Sequence, residues 1–241
     1  MPEVAQRFDT YSKFARARVE EVFGASLAEA TRHTASTLES AVLLNEGTWL
    51  RWMPLPRLAQ AAPVFGVVPI DFDGDGLEDL LLAQNLYAPQ RETGRMDGGL
   101  SLLLRGRGDG TFEPIGAHRS GVVLPIDAKS AAAVDLNADG WPDVVVAEHA
   151  GPVQLLRNRG GAGERLRITL EGAPGNPRAV GGRVSLVLEG GNARVREVRA
   201  GGGYLSQRPP VLDLGVTTGP RTLRVRWPDG ARSTHTISTS G

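Results

Sequence analysis

Cysteine is absent from the 241-residue chain, which excludes disulfides, thiolate metal sites and a cysteine nucleophile. It leaves the compartment open, because exported chains without bridges are common. Lysine occurs only at Lys13 and Lys129, so arginine carries nearly all the positive charge, a bias that codon usage alone can produce. Aromatic residues are 5% of the chain, and no apolar run approaches the roughly 20 residues that span a bilayer. Net charge is missing too: 27 basic residues balance 27 acidic ones, which argues against a dominant nucleic-acid or membrane-surface role, as the short apolar runs argue against membrane insertion. Met1 to Phe14 carries Glu3, Arg7, Asp9 and Lys13 and has no apolar stretch, so it does not read as a signal peptide. What is abundant is glycine (31) and proline (16), the punctuation of a mainly β chain.

The charge balance hides a split. Residues 1–163 hold 15 basic and 21 acidic side chains, and residues 164–241 hold 12 basic and 6 acidic ones. The chain opens on a helical pattern, with Tyr11, Phe14, Ala15, Val19, Val22 and Phe23 on one face, Gly24 as a stop, and Ser26 to Glu29 matching a capping box for a second short helix to about His33. That stripe is expected to pack on the neighbouring domain. Leu38 to Leu44 reads as a strand with Asn45-Glu46-Gly47 as its turn, and the prolines between Pro54 and Pro69 exclude a helix there.

An internal repeat follows. Asp71-Phe-Asp73-Gly-Asp75-Gly-Leu-Glu-Asp79 runs into Leu80 to Ala83, and 64 residues later Asp135-Leu-Asn137-Ala-Asp139-Gly-Trp-Pro-Asp143 runs into Val144 to Ala147. A second landmark recurs as Leu43-Leu44-Asn45-Glu46-Gly47, Leu103-Leu104-Arg105-Gly106 and Leu155-Leu156-Arg157-Asn158. A loop, a buried strand and a strand ending in a glycine-rich turn, repeated every 50 to 65 residues, suggest one four-stranded blade per repeat. Beyond residue 164 the segments 165–170, 183–189, 194–200, 211–214, 221–227 and 233–237 read as strands of a small antiparallel sandwich. The imperfect alternation of 194–200 suggests a bulge, and Trp227-Pro228-Asp229-Gly230 makes a turn.

Carboxylates at positions 1, 3, 5 and 9 of a glycine-containing loop, with a backbone carbonyl at position 7, form a cage of hard oxygens that suits calcium. The expected metal ligands are Asp71, Asp73, Asp75, the Leu77 carbonyl and Asp79 in one loop, and Asp135, Asn137, Asp139, the Trp141 carbonyl and Asp143 in the other. Without a cation, carboxylates packed this closely repel one another. Position 12 is Leu82 or Val146 where an EF-hand requires glutamate, so neither loop is an EF-hand. The bland alternative is that Asp, Asn and Gly simply make good turns; the duplication of the whole pattern favours calcium.

These loops, with the intervening Gly108-Asp109-Gly110-Thr111-Phe112, resemble the FG-GAP/VCBS repeats of integrin-type β-propellers. Gly181-Gly182-Arg183-Val184, Arg196 to Gln207 (REVRAGGGYLSQ) and Val225-Arg226-Trp227-Pro228-Asp229-Gly230 resemble an ASPIC/UnbV domain. The two resemblances cover about Leu38 to Ile237, and the helical opening resembles an insertion between blades. Val216-Thr217-Thr218-Gly219 departs from the family's usual turn. The resemblance implies a calcium-binding, non-enzymatic protein outside the cell or at the cell envelope, contacting a protein or glycan.

The expected organisation is therefore a helical segment over 1–35, propeller blades over 36–163 and an ASPIC/UnbV-like β domain over 164–241. The fold class is mainly β: a partial propeller of about two blades, a short helical opening and a small C-terminal β-sandwich. Since a propeller needs about four blades to close, the chain is expected to be the C-terminal piece of a longer protein, or to assemble with blades of another chain. Alternatives are a polysaccharide-acting enzyme using the aspartates as acid and base, and polyanion binding by the basic C-terminal domain. The stripe Arg194, Arg196, Arg199, Arg224 and Arg226 is expected to be mainly a solvated sheet face. Arg107-Gly108-Asp109 reads as turn chemistry rather than an adhesive tripeptide. The four histidines have no metal-ligand spacing, there is no nucleophile elbow or phosphate loop, and no catalytic residue is expected.

Overall fold

The computed structural model describes residues 2–91, 93–161, 164–188, 193–216 and 221–237. The chain divides into two compact units, Met1–Leu38 and Glu39–Gly241.

The first unit holds α1 (Pro2–Arg7), α2 (Tyr11–Arg16), α3 (Val19–Phe23) and a 3-10 turn over Gly24–Glu29. The single helical face expected from Tyr11 to Phe23 is broken at Ala17–Arg18, where both residues are extended, and neither α2 nor α3 contains a buried residue. Thr10 accepts from the Lys13 N–H at 3.3 Å to start α2, and Glu21 accepts from the Arg18 N–H at 2.7 Å to start α3. The capping box therefore sits one helix earlier than Ser26–Glu29, which instead lies inside the 3-10 turn. Gly24 ends α3 with a φ of 55°, as a stop glycine does.

Among the described residues the second unit is built from antiparallel sheets, none of them closed. Strands β1 (Ala41–Asn45) and β2 (Leu50–Pro54) form a hairpin. The prolines of the next segment permit only a 3-10 turn, Arg57–Gln60. Strands β3 (Val64–Ile70), β4 (Asp79–Gln84), β5 (Leu102–Gly106) and β6 (Phe112–Ile115) form a four-stranded blade in that order. Pro69 and Pro114 both lie on its edge strands, where a missing N–H costs no ladder bond. After the short helix α4 (Ala117–Ser120), β7 (Ala128–Val134), β8 (Asp143–Glu148) and β9 (Gln154–Leu156) form a three-stranded second blade.

The repeat extends to irregularities. The β3–β4 register slips between Val64 and Gly66, and the β7–β8 register slips at the equivalent place, between Ala128 and Ser130. The extra residues, Phe65 and Lys129, meet: the Lys129 ammonium lies 3.7 Å from the Phe65 ring centroid. The register shifts lie here rather than in the paired part of the 194–200 stretch. The pairing of β12 (Ala193–Glu197) with β11 (Arg183–Val187) is regular.

All six C-terminal strands expected from the sequence form. Strand β10 (Glu164–Thr169) pairs with β13 (Val211–Val216), and β12-β11-β14-β15 make a second sheet with β14 (Arg221–Arg226) and β15 (Arg232–Ile237). Ile168, Leu212 and Leu214 of one sheet share a core with Val184, Leu186, Leu223 and Val225 of the other, which makes a sandwich. Two further cores are propeller-like: Leu81, Leu103 and Ile115 of the first blade pack on Val144 and Val146 of the second, and Leu80, Leu82 and Leu104 pack towards Val42 of the hairpin. Each fully buried leucine contributes about 1.5–3 kcal/mol, so these clusters order the blades. The tail of the predicted strand 183–189 and the Val216–Gly219 departure lie partly outside the described residues.

Candidate metal centre

The two Asp loops occupy equivalent places, each joining the first strand of a blade to the second. Position 9 is the anchor in both. Asp79, fully buried, accepts from the Gly106 N–H at 2.7 Å and the Phe72 N–H at 3.1 Å. Asp143 accepts from the Asn158 N–H at 2.8 Å and the Leu136 N–H at 3.2 Å. Each aspartate thus ties the start of its loop to the end of the third strand. Position 1 closes the turn. Asp71 accepts from Gly74 at 2.9 Å and Gly76 at 3.1 Å, and Asp135 accepts from Gly140 at 2.9 Å and Asp139 at 3.2 Å. Position 5 accepts from the position-7 N–H: Asp75 from Leu77 at 2.8 Å and Asp139 from Trp141 at 2.9 Å.

The loops differ in how they balance charge. In the first, carboxylate oxygens of Asp71, Asp73 and Asp79 lie within 4.8 Å of one another. Arg105 bridges Asp73 at 2.9 Å and Asp75 at 2.8 Å, and Asp75 stands outside the trio. Burial pushes the Asp79 carboxyl up to about 7, its two N–H partners opposing, and raises that of Asp71, with Arg165 opposing. In the second loop the equivalent trio contains Asn137, whose side chain is turned to Asp139 at 2.7 Å. Arg167 pairs directly with Asp135. Burial there works to raise the Asp135 carboxyl, but the Gly140 N–H and Arg167 outweigh it and hold it below the usual range. Among the described residues an arginine thus pairs with the position-1 carboxylate in the second loop, whereas in the first Arg105 pairs with positions 3 and 5.

A pH dependence follows for the metal-free protein. Asp79 has a folded value near 7 against an ordinary 3.8, so the folded state binds the proton more tightly between them. Its contribution to stability is full below about pH 4 and is lost as pH rises through about 7. Denaturant titrations in chelator should show stability falling over that interval, with a shallower fall in Asp79→Asn; equal slopes would contradict the burial argument.

The sandwich closes over this end of the blades. The Gly215 N–H of β13 donates to the Asp71 carboxylate at 3.0 Å, and Arg165 donates to the Asp71 carbonyl at 2.8 Å. Arg194 donates to the Asp75 carbonyl at 3.2 Å and to the Gly215 carbonyl, and Arg196 pairs with Glu78. Arg167 bridges Asp135 and Asp213, the latter at 3.3 Å. A cleft of about 150 Å³ remains between both loops and the sandwich, lined by Asp71, Glu78, Asp135, Arg165, Arg167 and Arg208 among others. The arginine stripe was expected to be solvated. Arg199, Arg224 and Arg226 are, but Arg194 and Arg196 face the acidic loops, because the two halves of the charge split meet here. Sequence reasoning also missed Arg105, Gly215 and Asn158; the Asn158 side chain reaches the Phe72 carbonyl of the other loop at 2.9 Å. The recurrence of Arg105 as Arg157 after the same Leu-Leu pair was the available signal. Arg107-Gly108-Asp109 is a turn: Asp109 accepts from the Thr111 N–H at 2.9 Å, and Arg107 pairs with Glu113 at 2.8 Å.

Comparison with known families agrees with this architecture. A family model described as FG-GAP-like repeat matches residues 93–146, from ahead of β5 in the first blade, through the second Asp loop, into β8. One described as ASPIC and UnbV matches residues 172–239, which span β11 to β15. The chain joins an FG-GAP-like repeat to an ASPIC and UnbV domain. The first Asp loop lies outside the matched residues, and its assignment to the same repeat rests on the shared geometry. The chain is similar to cartilage acidic protein 1 of Mus musculus (25% identical over 190 residues, 76% of this chain and 28% of that one). It is likewise similar to cartilage acidic protein 1 of Homo sapiens (26% identical over 182 residues, 73% and 26%). It spans about a quarter of the length of these curated relatives. Arginines of the C-terminal sandwich thus pack on the Asp loops, and no helix among the described residues is long and apolar enough to cross a membrane.

Proposed function

We propose that the chain is a calcium-binding, non-catalytic module. Cations in its Asp loops stiffen the blades and the docked sandwich, and the assembled surface binds a protein or glycan outside the cell or at the cell envelope. The observation that carries this reading is the trio Asp71, Asp73 and Asp79, three carboxylates within 4.8 Å of one another, two of them buried and with raised pKa values. Oxygen-only donors at this spacing fit a hard divalent ion. Asp71, Asp73 and Asp79 would hold it, with Asp75 and the Leu77 carbonyl available once Arg105 swings away, since that guanidinium is 43% exposed. The second loop offers Asp135, Asn137, Asp139, the Trp141 carbonyl and Asp143, and is the weaker site because Arg167 already neutralises Asp135. A non-catalytic role is supported by position 9: each aspartate there is turned inward onto two backbone N–H groups. The extracellular location is supported by the FG-GAP match and the cartilage relatives. The division into 1–35, 36–163 and 164–241 is part of the proposal.

Calcium titration by calorimetry tests it. At a hundredfold excess over Kd, calcium should stabilise the fold by about 2.7 kcal/mol. Asp73→Ala removes a trio member with no backbone partner beyond Asp75, and should abolish the tighter site. Asp75→Ala, outside the trio, should weaken it less. Absence of calcium-dependent heat in the wild type, or an unchanged isotherm in Asp73→Ala, would remove the reading.

A further inference from the structure

The two blades offer an internal control on which surfaces are finished. In the first blade Val68, Leu81 and Leu103 form a row across three strands and are 4%, 2% and 7% exposed, because the second blade covers them. The equivalent row in the second blade is Ala132, Val145 and Leu155, paired strand to strand in the same way. It keeps the apolar chemistry, yet Leu155 is 57% exposed and nearby Val153 is 65% exposed. A repeat that conserves a buried row in register has kept an interface there, and single exposed leucines need no such explanation.

The opposite end of the stack shows the complementary feature. One face of the β1–β2 hairpin packs Val42 towards the first blade. The other face presents the cross-strand pair Leu43 and Trp52, 53% and 43% exposed, with Leu50 and Trp49 beside it at 57% and 56%. Exposed apolar pairs of this size on one two-stranded ribbon are a self-association hazard unless covered.

We infer that the front face of the second blade is a docking surface for a second copy of this chain, seated through the back face of its β1–β2 hairpin. The occupant is argued from continuity: within one chain the first blade's back face, Leu80, Leu82 and Leu104, already packs on the hairpin's inner face, and each blade's front face packs on the back of the next. A hairpin set on Val145 and Leu155 repeats that stacking with the apolar end this molecule exposes. The contact is heterologous, so it continues as a closed ring or an open stack and does not form a two-fold dimer. The inference rests on reading the sheets as successive propeller blades, and is independent of calcium occupancy.

Sedimentation velocity across concentrations up to about 100 µM tests it. The wild type should show mass above the monomer that grows with concentration and resists salt, since the contact is apolar. Leu155→Glu and Trp52→Glu each spoil one face and should lower the association constant roughly tenfold or more. Mixed in equal amounts, they should recover a dimer and nothing larger, because one intact pair of faces remains. Circular dichroism and calcium titration of each variant report folding and the metal loops separately, so a failed association leaves the calcium reading standing. A monomer at every concentration would overturn the inference, and would leave the face to a blade from elsewhere. Dimers that persist in both variants would overturn it too.

Discussion

Replacing Gly215 by valine is expected to detach the sandwich from the blades and to cost about 3–5 kcal/mol. Gly215 lies in β13 with its N–H on the buried Asp71 carboxylate at 3.0 Å. A Cβ built there would overlap the Asp71 Oδ2 and stand 3.0 Å from the Gly74 carbonyl carbon. Both neighbours are fixed: Asp71 is 3% exposed and already holds two loop N–H groups, and Gly74 is backbone of the same turn. Relief therefore requires β13 to move off the loop, which breaks a charge-assisted hydrogen bond and strains the Arg165 and Arg194 contacts on either side. Overpacking of this kind costs about 1–3 kcal/mol, and the lost bond to a charged group about 1.5–3. Differential scanning calorimetry should show a lower midpoint or two separated transitions. Gly175→Ala is the control, since nothing lies within 4 Å of a Cβ there. A Gly215→Val protein as stable as that control would mean the docking seen here is not what holds the sandwich.

The second large effect concerns Asp79→Ala. Two terms oppose each other. Removing the carboxylate relieves the burial that pushes its pKa up to about 7. It also leaves the buried Gly106 N–H and the Phe72 N–H without their acceptor. An orphaned buried donor costs about 1–3 kcal/mol, and the buried Gly106 N–H with the part-buried Phe72 N–H outweighs the relief. The net loss should be about 2–4 kcal/mol in metal-free protein and, on the calcium reading proposed above, greater with calcium present because a ligand is lost as well. Amide exchange gives the local readout: Gly106 and Phe72 should be protected in the wild type and exchange fast in the variant. Asp143→Ala should repeat the pattern at Asn158 and Leu136, with a smaller calcium component. If Gly106 stays protected in Asp79→Ala, position 9 does not have the structural role assigned to it.

Much of this molecule follows from local rules. The nine-residue Asp loops set their own turns, since alternating carboxylates and glycines satisfy the loop N–H groups whatever surrounds them. The strand after the first loop is apolar on successive residues because both its faces are covered. The six C-terminal strands and the Trp227–Gly230 turn were legible for the same reason: a two-residue period and a turn signature are properties of neighbours in sequence. The helical opening was less legible. A run of apolar spacings was read as one helix, and the break at Ala17–Arg18 carries no glycine or proline to announce it.

By itself the sequence determined the repeat, the two acidic turns, the mainly β class and the unequal charge of the two halves. Only the tertiary structure decided what those charges meet. Arg194 and Arg196 were indistinguishable by pattern from Arg224 and Arg226, because alternation places a side chain on a face without saying what covers that face. Glu78 and Asp75 lie more than a hundred residues from those arginines, and Gly215 is 144 residues from Asp71. Pairings at such separations depend on how whole sheets dock, which is set by the summed burial of several apolar rows and is written in no local stretch of the chain.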